Sequence, residues 1–125
     1  MRINYLAELI FPSKKAYAIH VMKMCNALSK KNNVRLFVFR NKKNNIFFSY
    51  NCFNKFKIID MGLNKIIFYN RIIYSFSLLN EIKSKNEIII SRSIIGALLL
   101  SFKGYNVILE IHHELKSATN FFFNL

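Results

Sequence analysis

The sequence predicts an α/β fold, in which a mainly parallel β-sheet is flanked by helices within one domain of 125 residues. Short apolar segments without a helical period alternate with longer segments in which apolar residues recur at intervals of three and four. The run EIIISR is apolar almost throughout its length, as in strands that helices cover on both faces of a sheet. The short connections between strands and helices indicate right-handed crossovers and a Rossmann-like arrangement.

The first half of the chain contains two predicted strands separated by one helix. The segment RINYL (Arg2–Leu6) predicts the first strand, and the following loop passes through Pro12, whose ring cannot continue a strand. A helix from about Lys15 to Lys31 comes next, because apolar residues fall on one of its faces. The segment NNVRLFVF (Asn32–Phe39) is rich in Val and Phe and predicts the second strand. The apolar helix positions are Ala18, Val21, Met22, Cys25 and Leu28.

An Asn- and Lys-rich loop with one short strand (Arg40–Lys55) opens the second half of the chain. The segment FKIIDMG (Phe56–Gly62) predicts the third strand, which Gly62 ends. A long helix from Asn64 to Lys85 follows, because apolar residues recur along one face of it. The expected buried face of that helix consists of Ile72, Phe76, Leu79 and Ile82.

The last predicted elements are a strand, a short helix and a further strand. EIIISR (Glu87–Arg92) predicts the fourth strand. Ser93 caps a helix that continues through Lys103, and Gly104 ends this helix because glycine readily adopts a left-handed conformation. NVILEIH (Asn106–His112) predicts the fifth strand, which is also largely apolar.

The formal net charge of +13, from 19 basic and 6 acidic residues, favours anionic partners. Nucleic acid, phosphorylated substrates and an anionic membrane surface all fit this charge. An AT-rich genome also enriches Lys, together with Ile, Asn and Phe, and these four residue types fill about half of the chain. Charge alone therefore does not assign a nucleic-acid function.

The sequence favours a cytoplasmic location. The first residues lack the basic lead and the long apolar run of a signal peptide. Arg71 and Arg92 interrupt the most apolar windows, which are shorter than the ~20 residues of a membrane-spanning helix. Cys25 and Cys52 form no CxxC pattern, which is typical of reduced thiols. We expect a cytoplasmic protein with peripheral contact at the cytoplasmic membrane face.

Polar side chains follow the first, fourth and fifth predicted strands, in the segments FPSKKAYAIH, SRS and EIHHE, at the sheet edge where α/β proteins bind ligands. Glu110 and His112 are two residues apart on a strand and share one face, whereas His113 points to the other face. A carboxylate beside a buried strand end requires a partner, and Arg92 is the natural partner for Glu110. A structural ion pair and direct contact with substrate are alternatives that do not exclude each other.

The polar residues do not form the common zinc, dinucleotide or hydrolase motifs. The segment HHE differs from the HExxH zinc motif, and we predict no metal site. His20 lies near the start of its helix, where it is either a surface residue or part of an anion site at the positive helix end. The glycine-rich dinucleotide fingerprint and the GxSxG elbow do not occur in the sequence, which disfavours a nicotinamide enzyme and a serine hydrolase.

The segments FPSKKAYAIHVMKMCNALSKKNNVRLFVF and EIIISRSIIGALLLSFKGYNVILEIHHEL, in this order, resemble the N-terminal domain of group-1 (family four) glycosyltransferases. These are retaining, two-domain enzymes of the GT-B fold. The resemblance covers most of the chain and is looser between about Arg40 and Glu87. Many relatives have a Gly-rich turn after the first strand, whereas LIFPSKK contains no glycine.

The resemblance implies that the chain binds a sugar acceptor, including a lipid-linked one, in glycan or cell-surface polysaccharide synthesis. His112 matches the catalytic histidine that faces the transferred sugar, and His20, Arg92, Glu110 and His113 are expected to bind substrate or brace the cleft. No tightly bound cofactor is expected, because the nucleotide-sugar donor is a co-substrate held by a second, C-terminal domain.

We expect this polypeptide to be a truncated or split glycosyltransferase, because the donor domain does not lie within its 125 residues. Transfer requires donor and acceptor to be held together, so the chain alone is expected to be inactive. The alternative is a basic, non-enzymatic α/β module that binds nucleic acid, although most aromatic residues lie within apolar runs and the lysines are scattered. A degenerate remnant without activity is a third interpretation.

Overall fold

The computed structural model of the protein describes residues 1–42, 46–50, 52 and 56–110, and it does not describe the side chain of residue 48. Strands and helices alternate along this part of the chain. One short strand lies in the Arg40–Lys55 loop, where a short strand was predicted, whereas a second short strand and one helical turn were not predicted. The strands are β1 (Arg2–Leu6), β2 (Ile10–Phe11), β3 (Asn33–Val38), β4 (Arg40–Asn41), β5 (Lys57–Asp60), β6 (Ile88–Ser91) and β7 (Asn106–Leu109). The helices are α1 (Ala16–Leu28), α2 (Ile46–Ser49), α3 (Phe68–Glu81) and α4 (Ile94–Phe102).

The main sheet has five strands in the order β5-β3-β1-β6-β7, and every neighbouring pair is parallel. This confirms the predicted α/β class with a mainly parallel sheet. The chain first builds outward from β1 through β3 to β5, and then crosses to the other side of β1 to add β6 and β7. The strand order therefore reverses between β1 and β6, where Leu6 lies opposite Ser91. In open α/β sheets, a crevice for ligands forms at such a reversal.

Helix α1 covers one face of the sheet. Its predicted apolar face is confirmed for the four residues that are buried, whereas Leu28 is only partly buried. Alternate residues of β1, Ile3 and Tyr5, point towards this helix, because successive side chains of a strand face opposite sides. The helix begins at Ala16 without a side-chain cap. The four buried residues are Ala18, Val21, Met22 and Cys25.

Helices α3 and α4 cover the opposite face, where Leu6 of β1 and Phe37 of β3 pack with Leu78 of α3 and Leu100 of α4. Ser93 caps α4 as predicted, because its Oγ accepts a hydrogen bond from the Gly96 N–H at 3.2 Å. The predicted glycine stop is also confirmed, since Gly104 follows the end of the helix with a φ of +89°.

The predicted long helix differs from the structure in its length and in its buried face. Helix α3 spans Phe68–Glu81 rather than residues 64–85, and Phe76, predicted to be buried, is 57% exposed. Tyr74 is fully buried in its place, with Ser75 and Leu78. A tyrosine is tolerated there because its hydroxyl donates to the Phe37 carbonyl at 2.7 Å, so the buried polar group is satisfied.

Strand β6 lies inside the sheet, between β1 and β7, as its apolar sequence predicts. Ile89 and Ser91 are buried, whereas Ile88 and Ile90 are only partly buried. Strand β7 forms an edge of the sheet, and Ile108 is half exposed there.

A partly buried polar cluster joins three strands near the amino edge of the sheet. Glu87 accepts hydrogen bonds from Arg2 at 3.1 Å, Asn4 at 2.8 Å and Arg35 at 3.3 Å. Arg35 also donates to the Asn4 side chain at 2.8 Å. The cluster lies at the end of the sheet that is opposite to the crevice, so its role is structural.

In the described ranges, no helix has both the length and the apolar character that a bilayer span requires.

Candidate functional site

A cleft of about 500 Å³ opens at the carboxyl edge of the sheet, where the strand order reverses. Residues 8–10, which follow β1, form one part of its wall, and Arg92, directly after β6, forms another. The loop before α1 contributes Ser13 and Lys15, and the region around the start of α3 contributes Ile66 and Arg71. The sequence predicted this edge as the ligand site, and the cleft lies there.

Arg92 is the most buried charged group of the cleft, with only 2% of its side chain exposed. Its Nε donates to Glu110 Oε2 at 2.8 Å, which confirms the predicted ion pair. Its guanidinium carbon lies 4.7 Å from the centre of the Tyr17 ring, close enough for a cation–π interaction. Burial alone would lower the pKa of Arg92, but the hydrogen bond to Glu110 and the nearby tyrosines raise it overall. Arg92 is therefore a permanently charged, fixed part of the site.

Glu110 is held from two sides. In addition to Arg92, the hydroxyl of Tyr5 donates to Glu110 Oε2 at 2.7 Å. The backbone N–H of Glu110 donates to the Ser91 carbonyl at 2.9 Å, which extends the pairing of β7 with β6. Burial, followed by the hydrogen bond to Glu110, raises the pKa of Tyr5 far above its ordinary value, so this hydroxyl stays protonated and continues to donate.

Glu8 is a site residue that the sequence reasoning missed. It follows β1, lines the cleft, and has a side chain that is only 17% exposed. Its Oε1 lies 3.4 Å from Arg71 Nε, and its Oε2 accepts a hydrogen bond from Ser93 Oγ at 3.2 Å. Burial raises the pKa of Glu8, although Arg71 and the Ser93 hydrogen bond act in the opposite direction. The signal was present, since a carboxylate two residues after a strand reaches the same edge as Arg92.

Two buried N–H donors beside the cleft have no hydrogen-bond partner among the described residues. These are Nη1 of Arg92 and Nε of Arg71. The Arg71 Nε is within ion-pair distance of Glu8, but the contact lacks hydrogen-bond geometry. An unsatisfied buried donor costs about 1–3 kcal/mol. Both arginines line the cleft, so the oxygen atoms of a ligand are candidate acceptors for these donors.

The three histidines of the prediction have different outcomes. His20 is exposed on α1 and is not among the described residues that line the cleft. His112 and His113 lie outside the described residues, so their predicted roles stay predictions. Within the described ranges, no group of three His, Cys, Asp or Glu side chains converges as a metal site.

The cleft combines hydrogen-bond acceptors and donors in one half-buried space. Glu8 supplies carboxylate oxygens, whereas Arg71, Arg92 and Lys15 supply N–H groups. Ligands with several hydroxyl groups, which both donate and accept hydrogen bonds, match this mixture. No family model matches the chain, and neither the curated proteins nor the solved structures include a significant match. The glycosyltransferase resemblance therefore stays a prediction.

Proposed function

We propose that the chain is the acceptor-binding domain of a retaining, nucleotide-sugar-dependent glycosyltransferase of the GT-B type, acting in glycan or cell-surface polysaccharide synthesis. The observation that carries the proposal is the cleft between β1 and β6, where Glu8 and Arg92 face one half-buried space. The sequence resemblance adds the reaction type, and a cleft at the carboxyl edge of a parallel sheet supports the proposal.

The chemistry of the cleft favours a saccharide over an apolar ligand. A sugar hydroxyl donates one hydrogen bond and accepts others, so it can bridge a carboxylate and a guanidinium. Glu8 accepts from the acceptor hydroxyl, and the unpaired N–H groups of Arg71 and Arg92 donate to its neighbours. Hydrogen bonds to charged groups contribute about 1.5–3 kcal/mol each, roughly twice as much as neutral ones. Such contacts orient the hydroxyl that attacks the donor sugar.

The Arg92–Glu110 pair acts mainly as a positioning device in this proposal. Arg92 and Tyr5 fix the carboxylate of Glu110, and therefore also the point from which the chain continues to His112. His112 is the proposed catalytic residue that faces the transferred sugar, and His113 and His20 are proposed to assist in substrate binding. His20 lies on the exposed side of α1, away from the residues that line the cleft.

The donor side of the reaction is proposed to come from sequence outside these 125 residues. The nucleotide sugar is then a co-substrate rather than a bound cofactor, and transfer requires both domains around one cleft. The acceptor is proposed to be membrane-borne, with the domain in peripheral contact with the cytoplasmic membrane face. The positive charge of the chain supports such contact with anionic lipid.

Saccharide binding by the full 125-residue chain tests the proposal. Methyl glycosides and short oligosaccharides are screened by saturation-transfer NMR. We expect at least one neutral saccharide to bind, and Glu8→Gln to weaken it about tenfold because a charged acceptor becomes a neutral one. Glu81→Gln is the matched control, since Glu81 is exposed at the end of α3 and is expected to leave binding unchanged.

The transfer reaction is tested by adding a nucleotide sugar and a donor domain from a family-four glycosyltransferase. Formation of a glycosylated product, abolished by His112→Ala, supports the proposal. The acceptor role of the cleft would be contradicted if none of the screened saccharides bound. It would also be contradicted if Glu8→Gln and Glu81→Gln weakened binding equally.

A further inference from the structure

Four consecutive large side chains are exposed at the mouth of the cleft. Ile66, Ile67, Phe68 and Tyr69 are 40%, 49%, 67% and 69% exposed, respectively. We call these four residues the apolar rim. They occupy the end of the loop after β5 and the first turn of α3, and Ile66 also forms part of the cleft wall. Single exposed apolar residues are common on proteins, whereas a contiguous group beside a ligand cleft indicates an interaction surface.

Three exposed lysines lie in the loops at this edge of the protein. Lys65 precedes the apolar rim, and the exposed Lys14 and Lys15 lie in the loop before α1, where Lys15 lines the same cleft. Among the described residues, these three lysines have no carboxylate within ion-pair distance. The rim and its flanks therefore present apolar and cationic groups together.

The three carboxylates described at this edge do not neutralise the lysines, because each is already paired with an arginine. Glu8 lies 3.4 Å from Arg71. Asp60 lies 3.5 Å from Arg40 and also accepts backbone hydrogen bonds from Asn41 and Gly62. Glu110, described above, is paired with Arg92. Among the residues that the structure describes, the excess charge at this edge is therefore positive.

We infer that this edge of the protein docks on an anionic lipid bilayer, with the apolar rim in the headgroup and upper acyl region and Lys14, Lys15 and Lys65 on the lipid phosphates. Aromatic and aliphatic side chains with adjacent lysines are the combination that binds such interfaces. Because Ile66 belongs to both the rim and the cleft, docking turns the cleft mouth towards the membrane. Docking gives the protein access to an acceptor that is anchored in the membrane. The inference rests on the proposed function in this one respect.

A second apolar surface provides a matched control. Phe76 of α3 and Leu98 of α4 are 57% and 54% exposed on the face of these helices that points away from the sheet. They are comparable to the rim in size and exposure. Nothing in the structure shows what covers them, and they do not contact the cleft.

The chain contains no tryptophan, so a single introduced tryptophan reports its own surroundings. Tyr69→Trp reports the apolar rim, and Phe76→Trp reports the control face. Both are mixed with vesicles of phosphatidylcholine alone or of phosphatidylcholine with phosphatidylglycerol. We expect the emission of Tyr69→Trp to shift to the blue only with phosphatidylglycerol, whereas Phe76→Trp keeps its emission in both.

Vesicle co-sedimentation measures the affinity. Phe68→Ser is expected to weaken binding to the phosphatidylglycerol vesicles about tenfold, because one buried aromatic side chain is lost from the interface. Leu98→Ser is expected to leave binding unchanged. Circular dichroism of each variant verifies that it is folded, and both substituted side chains are exposed.

Three results would overturn the inference: vesicle binding that is absent, binding that is equally strong to neutral vesicles, or binding that Leu98→Ser weakens as much as Phe68→Ser. Tight binding of single-stranded RNA without binding to vesicles would also overturn it, in favour of a nucleic-acid module. The vesicle assay contains neither donor nor acceptor, so its result is independent of the transfer assay. Saccharide transfer without vesicle binding and vesicle binding without saccharide transfer can therefore be told apart.

Discussion

At the scale of single residues, the site depends on buried charges that have partners. Arg92 is almost fully buried, but Glu110 and the Tyr17 ring compensate its charge. Glu8 is less well compensated, because burial outweighs Arg71 and Ser93 in setting its pKa. The Arg92–Glu110 ion pair was predictable from the sequence, since each partner follows an apolar strand. Glu8 escaped notice because LAELIF reads as the continuation of an apolar segment.

Breaking the buried ion pair is expected to destabilise the protein strongly. Arg92→Ala should lower the free energy of unfolding by about 3 kcal/mol, because Glu110 and Tyr5 lose the cation that faces them. Arg40→Ala is the control, since the Arg40–Asp60 pair is 41% and 37% exposed and should contribute less than about 1 kcal/mol. Urea unfolding measures both values. Equal losses would contradict the structural role of the Arg92 pair.

The raised pKa of Glu8 predicts a pH dependence of stability. The folded state binds the Glu8 proton more tightly than the unfolded chain, whose glutamate pKa is about 4.3. The stability from this group is thus complete below that value and is lost as pH rises through the folded pKa. Relative to the parent, Glu8→Gln should gain stability as the pH of the urea titrations rises from about 4 to about 8. A difference that does not vary with pH would show that Glu8 titrates normally.

At the scale of elements, local signals determined the ends of α4 but not those of α3. Ser93 and Gly104 define α4 by chemistry that acts within a few residues. Helix α3 lacks such signals, and its buried face was decided by Tyr74, whose hydroxyl reaches the backbone of Ala7, directly after β1, and of Phe37 in β3. Periodicity alone favoured Phe76, because it counts apolar residues and does not register a satisfied tyrosine.

The cap of α4 is testable by substitution. Ser93→Ala removes the acceptor for the Gly96 N–H and should lower the free energy of unfolding by about 1 kcal/mol. Ser93→Thr keeps a capping oxygen and should lose less, as measured by thermal unfolding. If the threonine variant is as unstable as the alanine variant, the hydrogen bond to Gly96 is not the source of the loss.

At the scale of the whole molecule, the two ends of the sheet have different tasks. The amino edge is closed by the cluster around Glu87, which ties β1 and β3 to the start of β6. The carboxyl edge is open, with the cleft and the apolar rim around it. The cluster stabilises the sheet at its amino edge. The resulting rigid sheet keeps the side chains of the cleft in place at the carboxyl edge.

The cluster around Glu87 predicts that a substitution far from the cleft strongly lowers the free energy of unfolding. Glu87→Ala should lower the free energy of unfolding by about 3 kcal/mol, because the buried Asn4 and the largely buried Arg35 lose their acceptor. Glu81→Ala should change it by less than about 0.5 kcal/mol, because Glu81 is exposed. Guanidinium unfolding of both variants tests this. If Glu87→Ala lowers the free energy of unfolding by less than about 1 kcal/mol, the cluster does not stabilise the three strands as proposed.

The sequence by itself determined the order and type of the main elements, the cap of α4 and the candidate edge for ligands, because periodicity, capping and strand direction act over short stretches of chain. Only the tertiary structure decided that β6 lies beside β1, that Tyr74 is buried and that Glu8 shares a cleft with Arg92. These features depend on contacts between residues some 60 to 85 positions apart, such as Ala7 with Tyr74 and Glu8 with Ser93. No local pattern encodes such a contact, since it forms only when the whole sheet is assembled.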